Sequence, residues 1–206
     1  MSTVSQRQVL VVLSTTIAFA FAEVTALASS TGPVAGSSGV PAAGPNPAEN
    51  TCVMCHTDFP LNPDEQGKIQ LLGVPDSYVA GKSYELEVRV SHPEAQRWGF
   101  QLTAVAGPDL HGSGIFMSLP NDKTTQVVTG LVAGRTYVEH GTVGKATGVG
   151  QKGSFGWKFT WTAPATSDGA VKFYGAFNAA NGDGNNSGDK IYTPASGLLA
   201  TTSPKN

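Results

Sequence analysis

A chain of 206 residues with a formal charge of −2 and 14 % charged residues is long enough for one principal domain with flanking segments. The near-neutral balance, with no basic cluster anywhere, excludes an electrostatic case for nucleic acid or anionic lipid. Twenty-five glycines and thirteen prolines suit a turn-rich β protein better than a helical bundle, which would carry more Ala, Glu, Lys and Leu.

Residues 1–28 read as a signal peptide. Arg7 supplies a positive start, and Val9 to Ala22 form a short apolar run interrupted by Ser14, Thr15 and Thr16. Ala26-Leu27-Ala28 then fits the A-x-A cleavage pattern. The run falls short of the ~20 residues that a span needs, and no later segment is apolar enough to cross a membrane. The expected address is therefore the periplasm, the cell surface or the extracellular space. Residues 29–50 are rich in Ser, Gly, Ala and Pro, with little to bury, and read as a flexible leader.

The segment 51–68 opens on Cys52-Val53-Met54-Cys55-His56, which holds both cysteines of the chain. In an exported protein, C-x-x-C-H has the form of a c-type haem attachment site. Two thiols three positions apart on a tight turn can add to the two vinyl groups of one porphyrin, and the adjoining imidazole suits the iron. On this reading Cys52 and Cys55 carry the thioethers of one haem c per chain, and His56 is the proximal ligand. Two rival readings are a thioredoxin-like dithiol and half of a zinc site. The first normally opens a helix in a βαβ unit, and the second needs another ligand pair. With both cysteines committed to haem, no disulfide is expected.

Residues 69–194 follow a β grammar. Tyr84, Leu86, Val88 and Val90 alternate with Glu85, Glu87, Arg89 and Ser91, the pattern of a half-buried strand. Trp98, Phe100, Leu102 and Ala104 repeat it, as do Phe155, Trp157, Phe159 and Trp161, and then Val171, Phe173, Gly175 and Phe177. Shorter strands are predicted over 115–119, 126–131 and 135–140. Such strands bury their apolar faces best as two packed antiparallel sheets, so the fold class is an all-β sandwich. Residues 195–206 read as a polar tail.

Certain strings in this region resemble a known family. They are Arg97-Trp98-Gly99-Phe100-Gln101-Leu102-Thr103, Tyr137-Val138-Glu139-His140, Trp161-Thr162-Ala163-Pro164-Ala165 and Phe173 to Gly182 with its continuation to Thr193. Together they resemble the bacterial reelin-like domain called choice-of-anchor V, whose members commonly carry C-x-x-C-H just upstream. The resemblance implies an immunoglobulin-like (reelin-type) sandwich, exported, with one covalent haem at its N-terminal edge. Many relatives end in an anchor segment, whereas this chain ends on a polar stretch, which favours a soluble or assembled form.

A second axial ligand would favour electron transfer over small-molecule binding. His140, at a strand end, is the first candidate for distal ligand, and His111, in the Pro108 to Gly112 loop, is the alternative. His92, before Pro93, reads as a surface turn residue. Met54 lies within the attachment loop, and Met117 reads as core. The Asp183 to Asp189 loop offers alternating oxygens like the start of a calcium loop, although its twelfth position is Pro194 rather than Glu.

The leading expectation is an exported monohaem cytochrome c carrying single electrons to a redox partner protein or an extracellular acceptor. Self-assembly into a haem-bearing homo-oligomer or filament is an elaboration of it. The alternative is a secreted binding or adhesion sandwich in which haem is structural or absent. No nucleic-acid partner is expected, nor any enzymatic activity, because no elbow motif or phosphate loop is present.

Overall fold

The computed structural model describes residues 31–205, apart from 131, 133, 143–144 and 195–197. The expected signal peptide, 1–28, lies outside the described residues. Alternation builds the first sheet. In β3 (Ser83–His92), Leu86, Val88 and Val90 are buried while Glu85 and Arg89 face solvent. β3 pairs antiparallel with β9 (Gly153–Thr162), whose Trp157, Phe159 and Trp161 point to the same interior. β1 (Lys68–Leu72) flanks β3, and β6 (Ile115–Ser118) flanks β9, which gives the order β1-β3-β9-β6.

The facing sheet runs β2 (Ser77–Tyr78), β12 (Leu198–Pro204), β10 (Val171–Ala180), β4 (Arg97–Ala106), β8 (Thr136–His140), β7 (Thr125–Thr129). β11 (Lys190–Tyr192) adds to β10, and β5 (His111–Gly112) adds to β4. The described pairings are antiparallel except for β12 with β2. Aromatic rings fill the space between the sheets. Phe100 lies 4.6 Å from Trp157 and Trp161 meets Phe173 edge-on at 5.1 Å, separations typical of favourable ring pairs. The all-β sandwich expected from alternation is therefore present. Among the described residues no helix is long and apolar enough to cross a membrane.

β4 and β10 differ from β3 in being buried on both faces, because residues 31–50 cover their outer side. The segment expected to be a flexible leader is packed there. Ser37 N–H donates to Gln101 Oε1 at 2.6 Å, and Gln101 Nε2 donates to Val34 O at 3.1 Å. Val40 and Ala43 join Val105, Leu110 and Tyr174 in a small apolar cluster of their own. Glu49 is driven beneath the segment to Arg135 Nη1 at 2.6 Å, with both side chains almost wholly buried. Tyr137 Oη also donates to Glu49 Oε1. The polar groups that hold Ser37 and Glu49 are 64 to 88 positions away along the chain, which is why local composition suggested freedom.

Other local expectations change for similar reasons. Part of the expected polar tail forms β12, paired with β10 and β2. Met117, expected in the core, is exposed, because Phe116 takes the inward position of β6 and alternation sends its neighbour out. His92, expected on a surface turn, is buried at the end of β3. Its Nδ1 accepts from Glu94 N–H at 3.2 Å, and its ring lies 6.0 Å from that of Tyr192.

Candidate ligand cavity at the C-x-x-C-H turn

Cys52–Met54 forms one turn of 3-10 helix, closed by Cys55 N–H donating to Cys52 O at 3.2 Å. The loop after β10 clasps this turn. Asn186 Nδ2 donates to Cys55 O at 2.6 Å, and Gly188 N–H donates to Asp58 Oδ2 at 2.8 Å. His56 Nδ1 stands 2.8 Å from Asp189 Oδ2, and that carboxylate is 2 % exposed. Asp189 accepts two further hydrogen bonds, from Asn178 Nδ2 at 3.3 Å and Asn181 N–H at 3.2 Å. Several donors fix a buried carboxylate in place.

Between the turn, this loop and the outer face of the large sheet lies a cavity of about 760 Å³. Pro33, Val34 and Ser37 of the leader form one side, and Arg97 to Phe100 of β4 with Asn178 of β10 form the floor. Gly99 keeps that floor open. A Cβ there would sit 3.2 Å from His140 Cε1 and 3.6 Å from Asn178 Cβ. Met54 stands at the rim, 60 % exposed. Burial pushes the Cys52 thiol up to about 12, with a smaller contribution from Cys55 and Glu139. His140 is buried where β8 leaves the sheet, and its Nδ1 accepts from Phe100 N–H at 3.2 Å. Asn178 Oδ1 is buried and has no hydrogen-bond partner among the described residues.

The structure thus brings Cys52, Cys55, His56 and His140 to one cavity and leaves His111 outside its wall. The C-x-x-C-H string stands in the sequence, but the haem c expectation built on it is corrected. Among the described residues no group of three or more His, Cys, Asp and Glu side chains is placed to hold a metal ion. His56 is engaged by Asp189 and His140 Nδ1 by the Phe100 backbone. The iron-ligand roles of His56, His140 and His111 fall with that finding, as does the electron-carrier function. Calcium at 183–189 is corrected likewise. Asp183 Oδ1 accepts from Asn185 N–H at 2.8 Å within its own turn, and Asp189 faces inward to His56.

Asn178 was missed by sequence reasoning, and Asp189 was read only as the end of an oxygen-rich loop. The available signal was a single amide inside the Phe173 to Ala180 run, a strand otherwise apolar on both faces.

His111 has another role. Its Nδ1 lies 2.7 Å from Asp109 Oδ1 and its Nε2 lies 3.0 Å from Asp168 Oδ1, joining the turn after β4 to the turn before β10. Asn46 of the leader donates to Asp109 O at 2.8 Å, and Asp168 N–H donates to Tyr78 Oη at 3.0 Å. The two carboxylates raise the imidazole above its ordinary value, chiefly through the Asp109 hydrogen bond. The folded value exceeds the unfolded one. The clamp's contribution is therefore full below the unfolded value of about 6.5 and is lost as pH rises through the raised folded value. Melting temperature followed from about pH 5 to about pH 9 should fall over that upper window in the wild type more than in His111→Gln. Parallel curves would remove the clamp.

No family model and no curated protein matches the chain, so the resemblance to a haem-bearing reelin-like family is corrected together with its haem. Among solved structures the chain is similar to the Reelin-N domain of F-spondin. That match has 18 % identity over 75 % of this chain and 97 % of that one, with a TM-score of 0.46. It is also similar to the human F-spondin reeler domain, at 18 % identity over 68 % and 90 % of the two chains, with a TM-score of 0.44. A cohesin module from a Clostridium perfringens family 33 glycoside hydrolase shares 12 % identity over 68 % and 96 %, with a TM-score of 0.38.

Proposed function

We propose that the chain is an exported, non-catalytic binding sandwich whose ligand site is the cavity beside the C-x-x-C-H turn. The ligand is compact and largely apolar. The observation that carries this reading is the cavity itself, enclosed by the leader, the thiol turn and the floor at Arg97 to Phe100 with Asn178. A volume near 760 Å³ falls in the range of small-molecule sites, roughly 300–1,000 Å³. Pro33, Val34 and Met54 supply apolar surface, while Arg97, His56 and His140 supply polar contacts at its edges. Export rests on the signal-like pattern of residues 1–28.

Anilinonaphthalene sulfonate, an apolar fluorophore with one N–H donor, tests the site. The folded wild type should bind it at one site. Gly99→Val, which fills the floor, should weaken binding about tenfold, the equivalent of ~1.4 kcal/mol. Near-ultraviolet circular dichroism confirms that both proteins are folded. Absence of one-site binding, or equal binding by a folded variant, would sink the reading. So would an intact mass showing a covalent adduct on Cys52 and Cys55.

A further inference from the structure

The wall of the cavity carries two thiols in a geometry suited to join. In a 3-10 turn residues three apart eclipse, and three rises of about 2.0 Å put their Cα atoms about 6 Å apart on one side. A disulfide spans roughly 4.4–6.8 Å between Cα atoms. The turn at Cys52–Met54 has that form, with Cys55 N–H bonded to Cys52 O at 3.2 Å. Both cysteines are free and partly exposed, and both line the cavity. No third cysteine competes for either. Compartments outside the cytoplasm favour disulfides over free thiols.

We propose that Cys52 and Cys55 are a reversible disulfide site whose state sets the affinity of the neighbouring cavity. The second half of that statement rests on the cavity being a ligand site, and the first does not. The co-reactant is a disulfide, either on an oxidised dithiol protein or on a small molecule. The Cys55 thiolate attacks one sulfur of that disulfide, forming a mixed disulfide and releasing the first thiolate. Cys52 then loses its proton and attacks Cys55 Sγ, closing the ring and expelling the second thiolate. Two protein thiols are oxidised to one disulfide, and one partner disulfide is reduced to two thiols that take up both protons. Burial keeps Cys52 protonated, so Cys55 attacks first and Cys52 reacts only once the mixed disulfide is held beside it. The hydrogen bond from Asn186 to Cys55 O and the His56–Asp189 pair hold the backbone of the turn, so ring closure moves side chains into or out of the cavity.

The test uses the full exported chain purified without reductant. Iodoacetamide labelling read by intact mass should show no label before reduction and two labels after it. Cys52→Ser should take one label in both conditions. Two labels without reduction, persisting after incubation with excess oxidised glutathione, would overturn the disulfide. Anilinonaphthalene sulfonate titrations of the oxidised and reduced forms separate the two halves of the proposal. A several-fold difference in affinity supports the link, and equal affinity overturns it. Absence of dye binding in both forms overturns the ligand reading and leaves the disulfide to the labelling result.

Discussion

Replacing Arg135 with alanine should destabilise the fold by about 3–5 kcal/mol and release residues 31–50 from the sheet. Arg135 is completely buried and Glu49 nearly so, with 2.6 Å between Nη1 and Oε1. Arg135 Nε also donates to Leu110 O at 2.9 Å. Removing the guanidinium strands the Glu49 carboxylate beneath the leader with only Ser38 and Tyr137 as donors. Hydrogen bonds of that kind do not replace a lost opposite charge in a dry site. Replacing the pair together, as Glu49→Leu with Arg135→Met, should cost far less, because two desolvated charges disappear along with their attraction. Urea denaturation measures both, and limited proteolysis within 31–50 reports release of the leader. A single variant within about 1 kcal/mol of wild type would refute the account.

Trp161→Ala should cost a similar amount, about 3–5 kcal/mol, through a different cause. Trp161 is fully buried and touches three rings: Tyr78 at 5.9 Å, Tyr84 at 6.0 Å and Phe173 at 5.1 Å. Its Nε1 donates to Ser113 O at 3.2 Å. The next residue, Gly114, has φ +78°, and a Cβ there would fall 2.4 Å from the same nitrogen. The indole therefore shapes the turn before β6 as well as the core. Alanine leaves a cavity between the sheets and an unpaired carbonyl. Trp161→Phe keeps most of the packing and loses the hydrogen bond, so its cost should be nearer 1–2 kcal/mol, about one hydrogen bond and part of a ring. Chemical denaturation of the two variants checks the order, and an alanine variant no weaker than the phenylalanine one would contradict it.

Strands that alternate between core and solvent were legible. Leu86, Val88 and Val90 against Glu85, Glu87 and Arg89 announce β3, and Trp157, Phe159 and Trp161 announce β9. Short strands such as β2 and β5, and the late β12, carry too few residues or too little contrast to show a period. The leader was illegible because its glycines and serines bury nothing large. What holds it are single polar groups, Glu49 on Arg135 and Ser37 on Gln101, supplied by strands far along the chain. The candidate site divides in the same way. Cys52, Cys55 and His56 stand out as one string, and His140 was the first choice among the remaining histidines. The chemistry at that string depends on Asp189, which holds His56, and on Asn178, which forms the floor, and neither is local to it. A motif records which groups sit side by side in the chain, and tertiary contacts decide what each group is free to do.

The parallel pairing of β12 with β2 joins Ser203 to Ser77, and β10 lies between β12 and β4. During synthesis the thiol turn emerges long before these partners exist. Contacts spanning so much of the chain form slowly. Over that interval no clasp from 181–189 and no roof from the leader can be complete, since both need β4 and β10 in register. The cysteines are therefore most accessible before the sandwich closes. The first oxidation has its best opportunity on the nascent chain, before the clasp and the leader narrow access to the turn.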